Sequence, residues 1–173
     1  MLTQKSRMSS LRHVMHGLFV MLAFVLRFTP GLTPTFFAQP AELLLAAALL
    51  IALYEHDAAG AVAGGCAGIL MDICTDTLPG FHTALFMIMC AMAGYIAKKY
   101  LTNTLLSALL LTAAGTLVYK LVYWLVFVVA GASGRPFYHL MRYLVVSWIF
   151  TVILTIPCYL IIRFYRRRFR LSQ

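Results

Sequence analysis

Two aspartates, Asp72 and Asp76, lie one helical turn apart at the end of an apolar segment, a spacing at which carboxylates could act as an acid–base pair. The sequence contains no His-Glu-x-x-His motif, no glycine-flanked serine nucleophile and no phosphate-cradling loop to accompany them. Its four cysteines form no C-x-x-C pair. We therefore predict a protein without catalytic residues, metal site or cofactor.

Glycines precede Asp72 at four-residue intervals, at Gly60, Gly64 and Gly68. On a helix this spacing forms one smooth face, and small residues let a second helix approach closely within a membrane. Two hypotheses stay open, a neighbouring helix of the same bundle or a helix of a partner protein. Gly80, beyond the end of the segment, joins these residues as a candidate for helix packing or partner binding.

The elements around this stripe are membrane helices, because 62% of the residues are hydrophobic, 11% are charged and the mean hydropathy is +0.89. Apolar runs occupy residues 13–28, 38–54, 58–75, 81–97, 103–130 and 139–162. The sequence predicts an all-α integral membrane bundle of about six helices. The run at 103–130 is long enough to tilt or to contain a kink.

Basic residues precede the first run, as in a signal peptide, but no small-x-small cleavage site follows it, so we expect a retained helix. With the N-terminus in the cytoplasm, ten of the fourteen basic residues fall on the cytoplasmic side, three fall outside, and Lys120 lies within a helix. Both termini are therefore predicted to be cytoplasmic. The expected organisation is a basic N-terminus at 1–12, a membrane domain at 13–162 and a basic tail at 163–173.

The basic tail contains five arginines: Arg163, Arg166, Arg167, Arg168 and Arg170. Basic residues beside a membrane helix are attracted to anionic lipid at about 1 kcal/mol each. A topology anchor is the favoured interpretation, and a docking site for a cytoplasmic partner is the alternative.

Asp72 lies within or at the border of the hydrocarbon, where a charged side chain costs about 2.5–3.5 kcal/mol at a helix centre. It must therefore face protein or water. Five other charged residues fall in the same half of the bundle and form a candidate polar network: Arg27, Glu42, Asp76, Lys120 and Arg142. We expect Asp72 to pair with Lys120 or Arg142. A transport or proton pathway is the competing hypothesis for these charges.

Aromatic residues recur late in the chain, including Tyr119, Tyr123 and Phe127. Tyrosine and tryptophan near helix ends are typically anchors at the level of the lipid headgroups. We expect this role for them here in preference to stacking against a ligand.

The chain resembles the MreD family of bacterial rod shape-determining membrane proteins. The resemblance rests on Pro40, on the stripe from Gly60 to Asp72, on Pro79-Gly80 and Ala84-Leu85, and on Arg135-Pro136, Pro157 and the basic end. In place of the polar glutamine that the family often carries near the end of the first helix, this sequence has Arg27 followed by Phe28 and Thr29.

This resemblance implies a non-enzymatic scaffold of the cell-elongation machinery in the bacterial inner membrane. Such a protein binds the bitopic protein MreC directly and is connected indirectly to MreB filaments, RodA and a class B penicillin-binding protein. By similarity, the bundle would resemble the six-helix substrate-binding components of energy-coupling-factor transporters. A vitamin-binding subunit of such a transporter is the rival function, although residues 14–26 lack its usual Ala-x-x-x-Ala docking face.

Overall fold

The protein is described by a computed structural model. The structure describes residues 2–29, 41–55, 57–75, 78–101, 104–129 and 145–170, with side chains described from 14–29, 41–55, 58–75, 78–101, 104–127 and 145–164.

Within those ranges, all the secondary structure is helical, as the sequence predicts. The six helices are α1 (Leu2–Phe28), α2 (Leu43–Glu55), α3 (Asp57–Cys74), α4 (Phe81–Tyr100), α5 (Leu105–Tyr123) and α6 (Val145–Arg170). A π-helical segment, Trp124–Val129, continues α5 near the end of the fifth apolar run.

Three of these segments are long and apolar enough to cross a membrane: Phe81–Tyr100, Leu105–Phe127 and Val145–Phe164. The apolar parts of the other helices are shorter, at Val14–Phe28, Leu43–Glu55 and Ala58–Cys74. Each of the six apolar runs therefore contains a helix, and three of these helices are long enough to span a membrane.

Helix α2 is the centre of the bundle, because every residue from Leu43 to Tyr54 is buried. Its sequence consists almost entirely of leucine and alanine, so it has no polar face to turn outward. It contacts all five other helices. Gly115 of α5 leaves room for Leu49, whose side chain would lie 2.6 Å from a Cβ at that glycine.

Three features concern the ends and the interior of the helices. The Thr104 side chain accepts a hydrogen bond from the Ser107 N–H at 3.3 Å and so caps α5. Pro157 lies inside α6. The first and last helices extend beyond their apolar runs, since α1 begins at Leu2 and α6 continues to Arg170.

Candidate functional site

The glycine stripe of α3 packs against α4 and α2 of the same chain. A Cβ at Gly64 would lie 2.6 Å from the Phe86 carbonyl oxygen, and a Cβ at Gly60 would lie 2.7 Å from the Ala52 Cβ. A Cβ at Gly68 would collide with the backbone of Thr83. We call this contact the α3–α4 seam. Of the two hypotheses for the stripe, the structure shows contacts of the first kind, with neighbouring helices of the same bundle.

Asp72 lies at the end of the α3–α4 seam and caps α4. The backbone N–H groups of His82 and Thr83 donate to its two carboxylate oxygens at 3.0 Å each, and the Thr83 hydroxyl donates at 2.6 Å. Unpaired N–H groups and the positive end of the helix dipole favour a carboxylate at this place. The first turn of α4 therefore supplies donors to Asp72, whereas Lys120, one of its two predicted partners, lies beside Glu42. The other predicted partner, Arg142, lies outside the described residues.

Gly80 supports this cap through its backbone and not through helix packing. It has a φ of +82°, and a Cβ built there would meet no atom within 4 Å. The left-handed conformation favours glycine, and it turns the chain into α4 immediately after Pro79.

A second set of charges forms one buried group, the charge cluster of Arg27, Glu42 and Lys120. Arg27 Nη1 donates to Glu42 Oε2 at 2.8 Å, and Lys120 Nζ lies 3.6 Å from Glu42 Oε1. Their side chains are only 6%, 7% and 8% exposed, in the same order. Two cations therefore share one carboxylate at a buried site. Removal of any one of the three would leave a buried charge without its full set of partners.

The charge cluster also holds four helices together at one end of the bundle. Arg27 Nη1 donates to the Ala41 carbonyl oxygen at 2.6 Å, which joins α1 to the segment that leads into α2. Lys120 Nζ donates to the Ser147 hydroxyl at 2.9 Å, which joins α5 to α6. The Glu42 N–H donates to the Thr151 hydroxyl at 3.0 Å, which joins α2 to α6. Among the described residues, the charge cluster thus brings together Arg27, Glu42 and Lys120 of the predicted network, and Asp72 makes its hydrogen bonds at the start of α4.

An aromatic cluster surrounds His82 and lies inside the bundle. The Tyr119 hydroxyl is 3.2 Å from His82 Nδ1, and the Tyr119 ring packs edge-on against Phe86 with centroids 5.2 Å apart. The rings of Tyr123 and Phe127 are tilted by 33° with centroids 4.7 Å apart. The expectation that Tyr119 anchors the protein at the lipid headgroups is wrong, since it is 3% exposed.

Sequence reasoning missed His82 and Thr83, the residues that receive Asp72. The sequence feature that could have identified them is their position shortly after Pro79-Gly80. This places them in the first turn of a helix, whose N–H groups need an acceptor.

Several predicted residues cannot be placed in this site. Asp76 and Arg142 lie outside the described residues. Of the tail arginines, Arg163 is exposed, whereas the side chains of Arg166, Arg167, Arg168 and Arg170 are not among those described. Their roles stay predictions.

The part of the chain that the structure describes contains no group of three or more His, Cys, Asp or Glu residues that could hold a metal ion. The four cysteines are free; Cys66 and Cys74 are exposed, and Cys90 and Cys158 are buried. Cys90 packs against Gly64 in the α3–α4 seam.

The fold and the site together define an all-helical membrane protein whose buried charges join helices. The chain matches the model of the rod shape-determining protein MreD family over residues 7–168. It therefore belongs to the MreD family, as its motifs indicate, and that family is one of shape-determining structural proteins. No curated protein and no solved structure matches the chain. The likeness to energy-coupling-factor components stays a prediction, and the vitamin-binding alternative gains no support.

Proposed function

We propose that this protein is a multi-pass scaffold of the bacterial inner membrane that binds MreC and links MreB filaments to peptidoglycan synthesis. Family membership supports a role in rod-shape determination. Both termini are then cytoplasmic, so that the charge cluster and Asp72 lie in the outer half of the membrane. RodA and a class B penicillin-binding protein are indirect partners in this proposal.

The observation that carries the proposal is that charged residues within the bundle hold its helices together. Arg27, Glu42 and Lys120 hold four helices at one end of the bundle, and Asp72 holds α3 to the start of α4. Each of these carboxylates is engaged by cations or by N–H groups of another segment. Charges used in this way give a bundle of fixed shape, which suits a protein that positions others.

Recovery of native complexes tests this function. The tagged protein would be extracted from the membranes of a rod-shaped bacterium under mild detergent, and its companions would be identified by mass spectrometry. We expect MreC in stoichiometric amount and RodA or a penicillin-binding protein in smaller amounts. Recovery of ATP-binding transporter subunits without MreC would contradict the proposal.

Cell shape supplies a second readout. In a rod-shaped host that lacks its own MreD and carries the matching MreC, expression of this chain should restore rods from rounded cells. A host that stays round, although the protein is present in its membrane at normal abundance, would contradict a role in elongation.

A further inference from the structure

The helices around α2 present apolar surfaces of two different lengths. In α4, α5 and α6, the segments Phe81–Tyr100, Leu105–Phe127 and Val145–Phe164 are long enough to cross a membrane. The apolar parts of α1 and α3, Val14–Phe28 and Ala58–Cys74, are shorter. Helices α1 and α3 contact each other, and so do α5 and α6. We call these two pairs the α1–α3 side and the α5–α6 side of the bundle.

Exposed apolar side chains set the length of the surface that each helix presents to lipid. On α1 they run from Val14 to Phe28, a distance of about 21 Å at 1.5 Å per residue. On α6 they run from Val145 to Phe164, a distance of about 28 Å. The hydrocarbon core of a typical bilayer is about 30 Å thick. Helix α6 therefore matches an ordinary bilayer, whereas α1 is too short for it by about 9 Å.

Helix α3 has a similar limit. Its apolar part, Ala58–Cys74, begins directly after Asp57 and is about 24 Å long. The large exposed side chains of this helix, Val62, Ile69 and Ile73, all lie within that part. The two helices of the α1–α3 side therefore agree on a hydrophobic thickness well below that of an ordinary bilayer.

Buried polar groups at both ends of α2 repeat this short spacing. At one end, Glu42 binds Arg27 and Lys120, and at the other, Glu55 Oε1 lies 3.8 Å from His16 Nε2. The two glutamates are separated along the helix by about 20 Å. A hydrocarbon core of ordinary thickness would therefore extend past one or both of these polar layers where α1 meets α2.

The bundle cannot remove the difference between its sides by reorienting. Tilt shortens the projection of a helix on the membrane normal, so it would increase the mismatch at α1. A short hydrophobic surface is otherwise accommodated by a thinner bilayer, by flanking side chains that snorkel or by oligomerisation. The polar side chains at the two levels of α1 do not snorkel, because Arg27 binds Glu42 and His16 lies against Glu55.

We propose that the α1–α3 side lies in a locally thinned bilayer and gathers lipids with short acyl chains, while the α5–α6 side borders bilayer of ordinary thickness. Hydrophobic mismatch sorts proteins among membranes of different thickness, so the protein should concentrate where the bilayer is already thin. This inference goes beyond the proposed function and does not depend on MreC. The side chains that would contact the short lipids are exposed and apolar: Val14, Leu18, Leu22, Val62, Ile69 and Ile73.

Both tests use the full chain, purified and reconstituted in phosphatidylcholine bilayers, with one label on an introduced cysteine. The exposed Cys66 and Cys74 would be changed to alanine, and the buried Cys90 and Cys158 would be retained. Thermal unfolding of each labelled variant shows whether it is folded before its label is measured.

Spin-label depth tests the thinning. In dioleoyl phosphatidylcholine, nitroxides at Val14→Cys and Phe28→Cys report the two ends of the α1 surface, and Val145→Cys and Phe164→Cys provide the matched pair on α6. Accessibility to oxygen and to a water-soluble relaxation agent gives the depth of each label. We expect all four labels at the level of the headgroups. A label of the α1 pair deep in the hydrocarbon, with the α6 pair at the headgroups, would show a flat bilayer and overturn the proposal.

Quenching by brominated lipids tests the choice of acyl chain. A fluorophore at Met21→Cys on α1 or at Ile153→Cys on α6 lies near the middle of its apolar surface, and both positions are exposed. The bilayers would mix dimyristoleoyl and dioleoyl lipids, with bromine on one and then on the other. The ratio of short-chain to long-chain quenching should be about twofold higher at position 21 than at position 153.

Two results of this experiment would overturn the proposal. Equal ratios at positions 21 and 153 would show that short chains are not gathered on the α1–α3 side. Quenching at position 153 with none at position 21 from either lipid would show that a second copy of the chain covers the α1–α3 side.

Discussion

Two helices of this bundle contain glycines in opposite surroundings. In the α3–α4 seam, backbone and side-chain atoms of the same chain lie directly against Gly60, Gly64 and Gly68. On α1, Gly17 meets nothing, and a groove lies beside it. A glycine in a membrane helix therefore marks a close contact only when a neighbouring helix is there to make it.

The comparison extends to the way in which each helix is attached. Helix α3 contacts α4 along its length and is tied at its end by Asp72. Helix α1 makes its strongest polar contact at one end, through Arg27 and the charge cluster. The α3–α4 seam is thus a structural element, whereas Val14, Leu18 and Val25 of α1 are more than half exposed.

The largest effect is expected from Glu42→Gln, which leaves Arg27 and Lys120 buried without their carboxylate. Removal of one partner from a buried charge group costs about 3–5 kcal/mol. Unfolding in detergent should show this loss, and hydrogen exchange should rise in α1 before it rises in the α3–α4 seam. The double variant Glu42→Gln, Arg27→Gln should lose less than the sum of its single variants. An equal rise in hydrogen exchange in α1 and in the α3–α4 seam would contradict the conclusion that the two are attached differently.

Gly68→Ala tests the α3–α4 seam directly, because its new methyl group would meet the His82 carbonyl oxygen at 2.7 Å. Overpacking of this kind costs about 1–3 kcal/mol. The matched control is Gly65→Ala on the same helix, whose methyl group would lie 3.8 Å from Met87 Sδ. Thermal unfolding should separate the two variants, and similar melting temperatures would show that the close approach is unimportant.

Asp72→Asn tests the cap of α4. The amide keeps one acceptor oxygen but turns an N–H₂ group toward donors, so we expect a loss of about 1–2 kcal/mol in the free energy of unfolding. Thr83→Ser keeps the hydroxyl donor and should stay near the stability of the unaltered protein. If Asp72→Asn leaves stability and abundance unchanged, the carboxylate does not hold the α3–α4 seam closed.

The smallest effect is expected from Gly80→Ala, which places a side chain at a φ of +82°. The left-handed conformation costs an alanine roughly 1 kcal/mol. Gly80→Asn should cost less, because asparagine adopts this conformation more readily. Urea or thermal unfolding would rank the stabilities of the unaltered protein, the Gly80→Asn variant and the Gly80→Ala variant, in that expected order. An alanine variant as stable as the unaltered protein would contradict the prediction.

The predictions from sequence succeeded where they depended on local pattern. Apolar runs placed all six helices, and the spacing of the glycines identified a face for close packing. They failed where the partner of a residue comes from another helix. Lys120 is one of the two predicted partners of Asp72, but it lies beside Glu42, because a shared level in the bundle does not tell which side chains face each other.

The amino-acid sequence alone determined the helical membrane class, the approximate helix boundaries and membership of the MreD family. These properties follow from hydrophobic length and from short motifs, which a linear chain carries without reference to its neighbours. Only the tertiary structure decided that α4 fills the glycine stripe, that Asp72 caps α4 and that Gly17 faces open space. Each of these depends on how helices rotate and approach one another, which is set by packing across the whole bundle.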